Sequence, residues 1–149
     1  SQIVNYLENR VYSAMEEGLW ATNFNAQKHI WHKLYKKSWE QRQLSVHYEY
    51  WFDIKRFSNG QMQFMLDVEG RRSGELLDQF DTLLPSFEAE LHQHGFVYRP
   101  PHRKHAIIWK EYRITTTVEE IAEQFIRAAQ EASFMIPIVD QALERLAYP

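Results

Sequence analysis

Glu49, Asp53, Asp67 and Glu69 fall at alternate positions of the stretch HYEYWFDIKRFSNGQMQFMLDVEG, residues 47–70, on either side of Asn59-Gly60. Carboxylates that share one side of two neighbouring strands can hold a hard cation such as Mg²⁺ or Mn²⁺, which takes one or two carboxylates plus water. With Lys55 to orient an attacking water, the set Glu49, Asp53, Lys55, Asp67 and Glu69 would make a small metal-dependent phosphodiesterase or nuclease. Asp53-Ile54-Lys55 supplies an Asp-x-Lys string and Glu69-Gly70-Arg71 a degraded one. Strings this short arise by chance, and no Pro-Asp precedes the first. The competing and preferred reading is a solvated sheet face whose charges discourage edge pairing, with no metal and no cofactor assigned.

The elements that must position these groups read as a β-hairpin. Val46, Tyr48, Tyr50, Phe52 and Ile54 alternate with His47, Glu49, Trp51, Asp53 and Lys55, and Met62, Phe64, Leu66 and Val68 with Gln63, Met65, Asp67 and Glu69. A two-residue Asn-Gly turn would pair apolar with charged positions. A three-residue loop, Ser58-Asn59-Gly60, keeps the faces apart and sets Ile54 against Phe64, Phe52 against Leu66 and Tyr50 against Val68. On the other face it sets Glu49 against Glu69, Trp51 against Asp67, Asp53 against Met65 and His47 against Arg71. Trp51 and Met65 on such a face mark a partner surface.

Basic residues gather elsewhere. Lys28, Lys33, Lys36 and Lys37 lie in NFNAQKHIWHKLYKKSWEQRQ, whose Ile30, Leu34, Trp31, Tyr35 and Trp39 suggest a basic amphipathic helix over residues 25–41. Arg99, Arg103, Lys104 and Lys110 crowd a second hairpin, FVYRP with KHAIIWKEYRI, around Pro100-Pro101-His102-Arg103. Together they could draw phosphate backbones or an acidic protein, with Trp31, Tyr35 and Trp39 stacking on bases, although rings at that spacing equally form core. The histidines lack the four-residue spacing of a zinc helix, and no phosphate-binding glycine loop or nucleophile elbow is present.

The remaining pattern is regular. Ile3, Leu7, Val11 and Met15 predict a first helix after a Ser1 cap; Leu76 to Leu91 predict another, interrupted at Pro85; and Thr117-Val118-Glu119-Glu120 is a capping box opening a last helix broken at Pro137. The order α-α-β-β-α-β-β-α predicts an α+β fold, an antiparallel sheet from two β-hairpins covered by helices, in a single domain over residues 1–149. A formal charge of −3 opposes nucleic-acid or membrane coating by bulk charge, and zero cysteines exclude disulfides and fit a cytoplasmic protein. No apolar run reaches the length of a membrane span. Ser1 is what trimming of an initiator Met leaves, and also what excision from a longer protein leaves.

From about Gln27 to Arg145 the chain resembles a bacterial domain of unknown function often found C-terminal to PD-(D/E)xK restriction-type nucleases. The match is one of order: a Trp-bearing helix, the hairpin ending FMLDVEG, the helix LLDQFDTLLPSFEAELHQHGF, then KHAIIWKEYRI and a closing helix. The resemblance implies an accessory or recognition role in DNA processing or phage defence and carries no site residues. The expected function is therefore a non-catalytic binding domain that meets nucleic acid or an acidic protein partner through its basic residues. A small metal-dependent phosphodiesterase and an immunity or inhibitor protein are the alternatives, and a homo-oligomer stays open.

Overall fold

A computed structural model describes residues 2–25, 31–98, 105–115 and 117–147, with the backbone alone for Ile54, Lys55, His105 and Ala147. Six strands join in one antiparallel sheet: β1 (Trp20–Phe24), β2 (Trp31–Lys36), β3 (Ser45–Trp51), β4 (Gln61–Glu69), β5 (Val97–Tyr98) and β6 (His105–Arg113), in the order β1-β2-β3-β4-β6-β5. The helices are α1 (Gln2–Ala14), α2 (Ile54–Ser58), α3 (Ser73–Gln93), α4 (Val118–Glu131) and α5 (Met135–Ala147). This is the expected α+β architecture, with hairpin-then-helix occurring twice from β3 onward.

The expected second helix is corrected. Residues 20–24 and 31–36 are β1 and β2, paired Trp20 to Lys36 and Phe24 to His32, followed by a 3₁₀ turn at Lys37–Trp39. The error has a geometric cause. Four residues is close to one helical turn and also two strand repeats, so Trp31 and Tyr35 share a side in either conformation. What decides is β3, which offers Trp51 to Trp31 and Tyr48 to Leu34 across the ladder.

The first hairpin keeps its expected faces and loses its expected register. Tyr50 pairs with Phe64, Tyr48 with Leu66 and Val46 with Val68, while Glu49 meets Met65 and His47 meets Asp67. Each partner lies four residues from the expected one, an even slip that preserves which side every side chain takes. The cause lies at Asp53. Its carboxylate accepts from the Arg56 amide at 2.7 Å, so the chain leaves the ladder after Trp51 and winds into α2 before returning at Gln61.

Helices cover the face of the even-numbered β3 residues. The Tyr48 hydroxyl donates to the Ala132 carbonyl and the Tyr50 hydroxyl to that of Phe125, both at 2.8 Å, and the Tyr50 and Phe125 rings stack 4.3 Å apart. Leu7, Val11, Phe24, Leu34, Trp39, Phe64, Phe80, Phe87 and Val139 complete that core. The expected capping box is present, the Thr117 hydroxyl accepting from the Glu120 amide at 3.4 Å. Pro85 lies inside a continuous α3, and the last helix divides at the 3₁₀ turn Ala132–Phe134, which places Pro137 in the first turn of α5. Among the described residues, no helix is long and apolar enough to cross a membrane.

Candidate metal centre

His47 and Glu49 on β3 and Asp67 and Glu69 on β4 point to the face opposite the helices, because odd positions of β3 alternate with the core-facing tyrosines. This face was expected to be solvated. Instead His47 is 1%, Glu49 6% and Asp67 2% exposed, although their surroundings hold three carboxylates of the same sign. Burying like charges costs several kcal/mol per ion unless a counter-charge is present.

One nitrogen organises the cluster. His47 Nε2 lies 2.8 Å from Glu49 Oε1 and 3.3 Å from Asp67 Oδ2, while Nδ1 is 3.1 Å from the Ser45 hydroxyl, which fixes the ring. Burial alone would lower the imidazole pKa, but hydrogen bonds to Asp67 and Glu49 outweigh it and raise it. The Glu49 carboxyl is raised, chiefly by burial and also by the Asp67 charge. Among the described residues, Asp67 Oδ1 is buried and has no hydrogen-bond donor. Such an atom loses its hydration without replacement, a cost of about 1–3 kcal/mol that native folds avoid.

A cation would supply the missing counter-charge to the buried carboxylates and a partner for the Asp67 oxygen, taking the place of the proton that His47 otherwise holds between them. One donor atom each from His47, Glu49, Asp67 and Glu69 lies within 4.8 Å of the others. Ligands about 2.1 Å from an octahedral ion sit about 3 Å apart when adjacent and about 4.2 Å when opposed, so the spacing needs little closing. One imidazole with three carboxylates suits Mn²⁺, Fe²⁺ or Zn²⁺ better than Ca²⁺.

Lys33 stands beside the centre, opposite Glu49 in the β2–β3 ladder, with Nζ 3.8 Å from Glu69 Oε2. Two clefts share it. One, of about 340 Å³, is lined by Trp31, Lys33, Glu49, Met65, Asp67 and Glu69; the other, of about 540 Å³, includes Tyr35, Arg42 and His47.

Of the carboxylates singled out in the sequence, the structure gathers Glu49, Asp67 and Glu69 and leaves out Asp53, which caps α2. The Lys55 side chain lies outside the described residues. Among the described residues, Lys33, Lys36 and Lys110 do not gather into one patch. Lys36 bonds Asp140 at 3.1 Å, and Lys110, on the helix-covered face, bonds Glu131 at 2.8 Å and the His94 carbonyl at 2.7 Å. Lys37 sits in the 3₁₀ turn, and Lys28, Arg99, Arg103 and Lys104 lie outside the described residues. Met65 lines the smaller cleft, and Trp51 stacks on Trp31. His47 was missed as a ligand because the expected register set it against Arg71; its parity with Glu49 was the available signal.

Comparison of the chain with family models, with curated proteins and with solved structures returned no match.

Proposed function

We propose that this domain holds a divalent cation on His47, Glu49, Asp67 and Glu69 and through it binds a phosphate-bearing ligand in the cleft beside Lys33. The observation that carries the reading is the buried Asp67 Oδ1, without a hydrogen-bond donor among the described residues, amid ligand atoms within 4.8 Å of one another. A cation reverses the local charge, and Lys33 adds a second positive group at the cleft wall. A ligand of this kind also fits an accessory domain beside a restriction-type nuclease, the setting that the resemblance implies. Of the basic residues that the structure describes, Lys33 stands at this site, while Lys36 and Lys110 are engaged with Asp140 and Glu131.

Titration of the metal-stripped chain with Mn²⁺ followed by calorimetry and thermal melting tests the reading. At a hundredfold excess over Kd the bound ion adds about 2.7 kcal/mol, a rise in Tm of about 5–10 °C for a domain of this size. Asp67→Asn is expected to fold and lose that rise. A wild-type Tm indifferent to millimolar Mn²⁺, Zn²⁺ and Mg²⁺ sinks the proposal.

Lys33 favours a second reading, hydrolysis of the bound ester, because a lysine beside a metal-bound phosphate can orient the attacking water. Release of nitrophenol from bis(p-nitrophenyl) phosphate with Mn²⁺, abolished in Lys33→Met, would support it. No release over background leaves binding alone.

A further inference from the structure

Trp31 is 38% exposed, lines the same 340 Å³ cleft as Glu49, Asp67 and Glu69, and is set in place before any ligand arrives. Its ring stacks on that of Trp51 at 5.0 Å and 29°, and the Arg56 guanidinium lies over the Trp51 ring at 3.4 Å. An indole so braced gives up little conformational freedom on receiving another flat group. Trp31 and Lys33 are two residues apart on one strand face, about 6.7 Å, which matches the reach from the base to the phosphate of one nucleotide.

We infer that the phosphate-bearing ligand is a nucleotide, free or within a single strand, with its base stacked on Trp31 and its phosphate on the cation and Lys33. The inference rests on the metal reading and adds to it the identity of the ligand. Carboxylates alone would repel the phosphate, so binding requires the cation. The base is recognised by its π-face, so preference among the four bases is weak.

Calorimetry on the full chain loaded with Mn²⁺ tests this with AMP, ribose 5-phosphate and the single strand (dA)4, in wild type, Trp31→Ala and Trp31→Phe. AMP is expected to bind about tenfold more tightly than ribose 5-phosphate, the difference vanishing in Trp31→Ala and largely returning in Trp31→Phe. The Mn²⁺ isotherm of both variants should match wild type, since Trp31 supplies no ligand atom, while the melting temperature of Trp31→Ala falls with the lost Trp51 stack. Tighter binding of (dA)4 than of AMP identifies a strand as the source, and the reverse order a free nucleotide. Equal affinity for AMP and ribose 5-phosphate, or an unchanged AMP affinity in Trp31→Ala, overturns the inference while leaving the metal site standing. Failure of Mn²⁺ itself to bind removes both.

Discussion

His32 carries a pH dependence that is separable from the cation cluster. Its ring lies on the helix-covered face 5.1 Å from Phe24, where Nδ1 accepts from the Asn25 amide at 3.2 Å. Burial lowers its pKa, and the hydrogen bond to the Phe52 backbone and the Glu8 charge offset this only in part. A base depressed in the folded state stays neutral while the unfolded chain takes up a proton, so stability is present above about pH 6.5 and falls as the pH drops below it. Urea unfolding at pH 7.5 and pH 5.5 should show a larger loss for wild type than for His32→Gln. Equal losses would sink this assignment. Residue types at this scale were readable from alternation, which placed Glu49, Asp67 and Glu69 on one side. The role of Asp53 was not, because capping depends on where the strand ends, and only the folded chain shows that.

Among the elements, the turn into α3 is tight. Gly70 has φ +107° and would place a Cβ 2.3 Å from the Gln43 carbonyl oxygen, which itself accepts from the Arg72 amide at 3.1 Å. Gln43 is held at φ 64° in the same contact. Gly70→Ala should therefore cost about 2–4 kcal/mol by thermal or urea unfolding. Gly74, inside α3 with open space around it, is the control: Gly74→Ala should be neutral or stabilise by up to about 1 kcal/mol. Lys110→Met should lower stability by about 1–2 kcal/mol and leave Mn²⁺ binding unchanged, because this lysine serves Glu131 and the His94 carbonyl and not the open face. Loss of metal affinity in that variant would contradict the placement. Helices α1, α3 and α4 were legible because their apolar spacing and capping are local. β1 and β2 were not: Trp20 to Phe24 and Trp31 to Lys36 become strands through partners in β3, a cue remote in sequence.

For the molecule as a whole, β3, β4 and β6 form the middle of the sheet and β1 and the two-residue β5 its rims. Amide hydrogen exchange should be slowest at Tyr48, Tyr50, Phe64 and Leu66, and faster by orders of magnitude in β1. The two-layer plan followed from the sequence because both hairpins alternate and each precedes an amphipathic helix. The long-range order, with β2 joining β3 and β6 joining β4, did not.

Tyr48 and Tyr50 tie the layers together through hydroxyls that end on helix carbonyls, and burial drives both phenols far above their ordinary ionisation. Neither can become phenolate without the layers parting, whereas unfolded tyrosine ionises near pH 10. The protein therefore contains its own optical gauge of cohesion. In an alkaline titration read at the phenolate band in the ultraviolet, surface tyrosines should respond gradually and these two abruptly, at the pH where circular dichroism collapses.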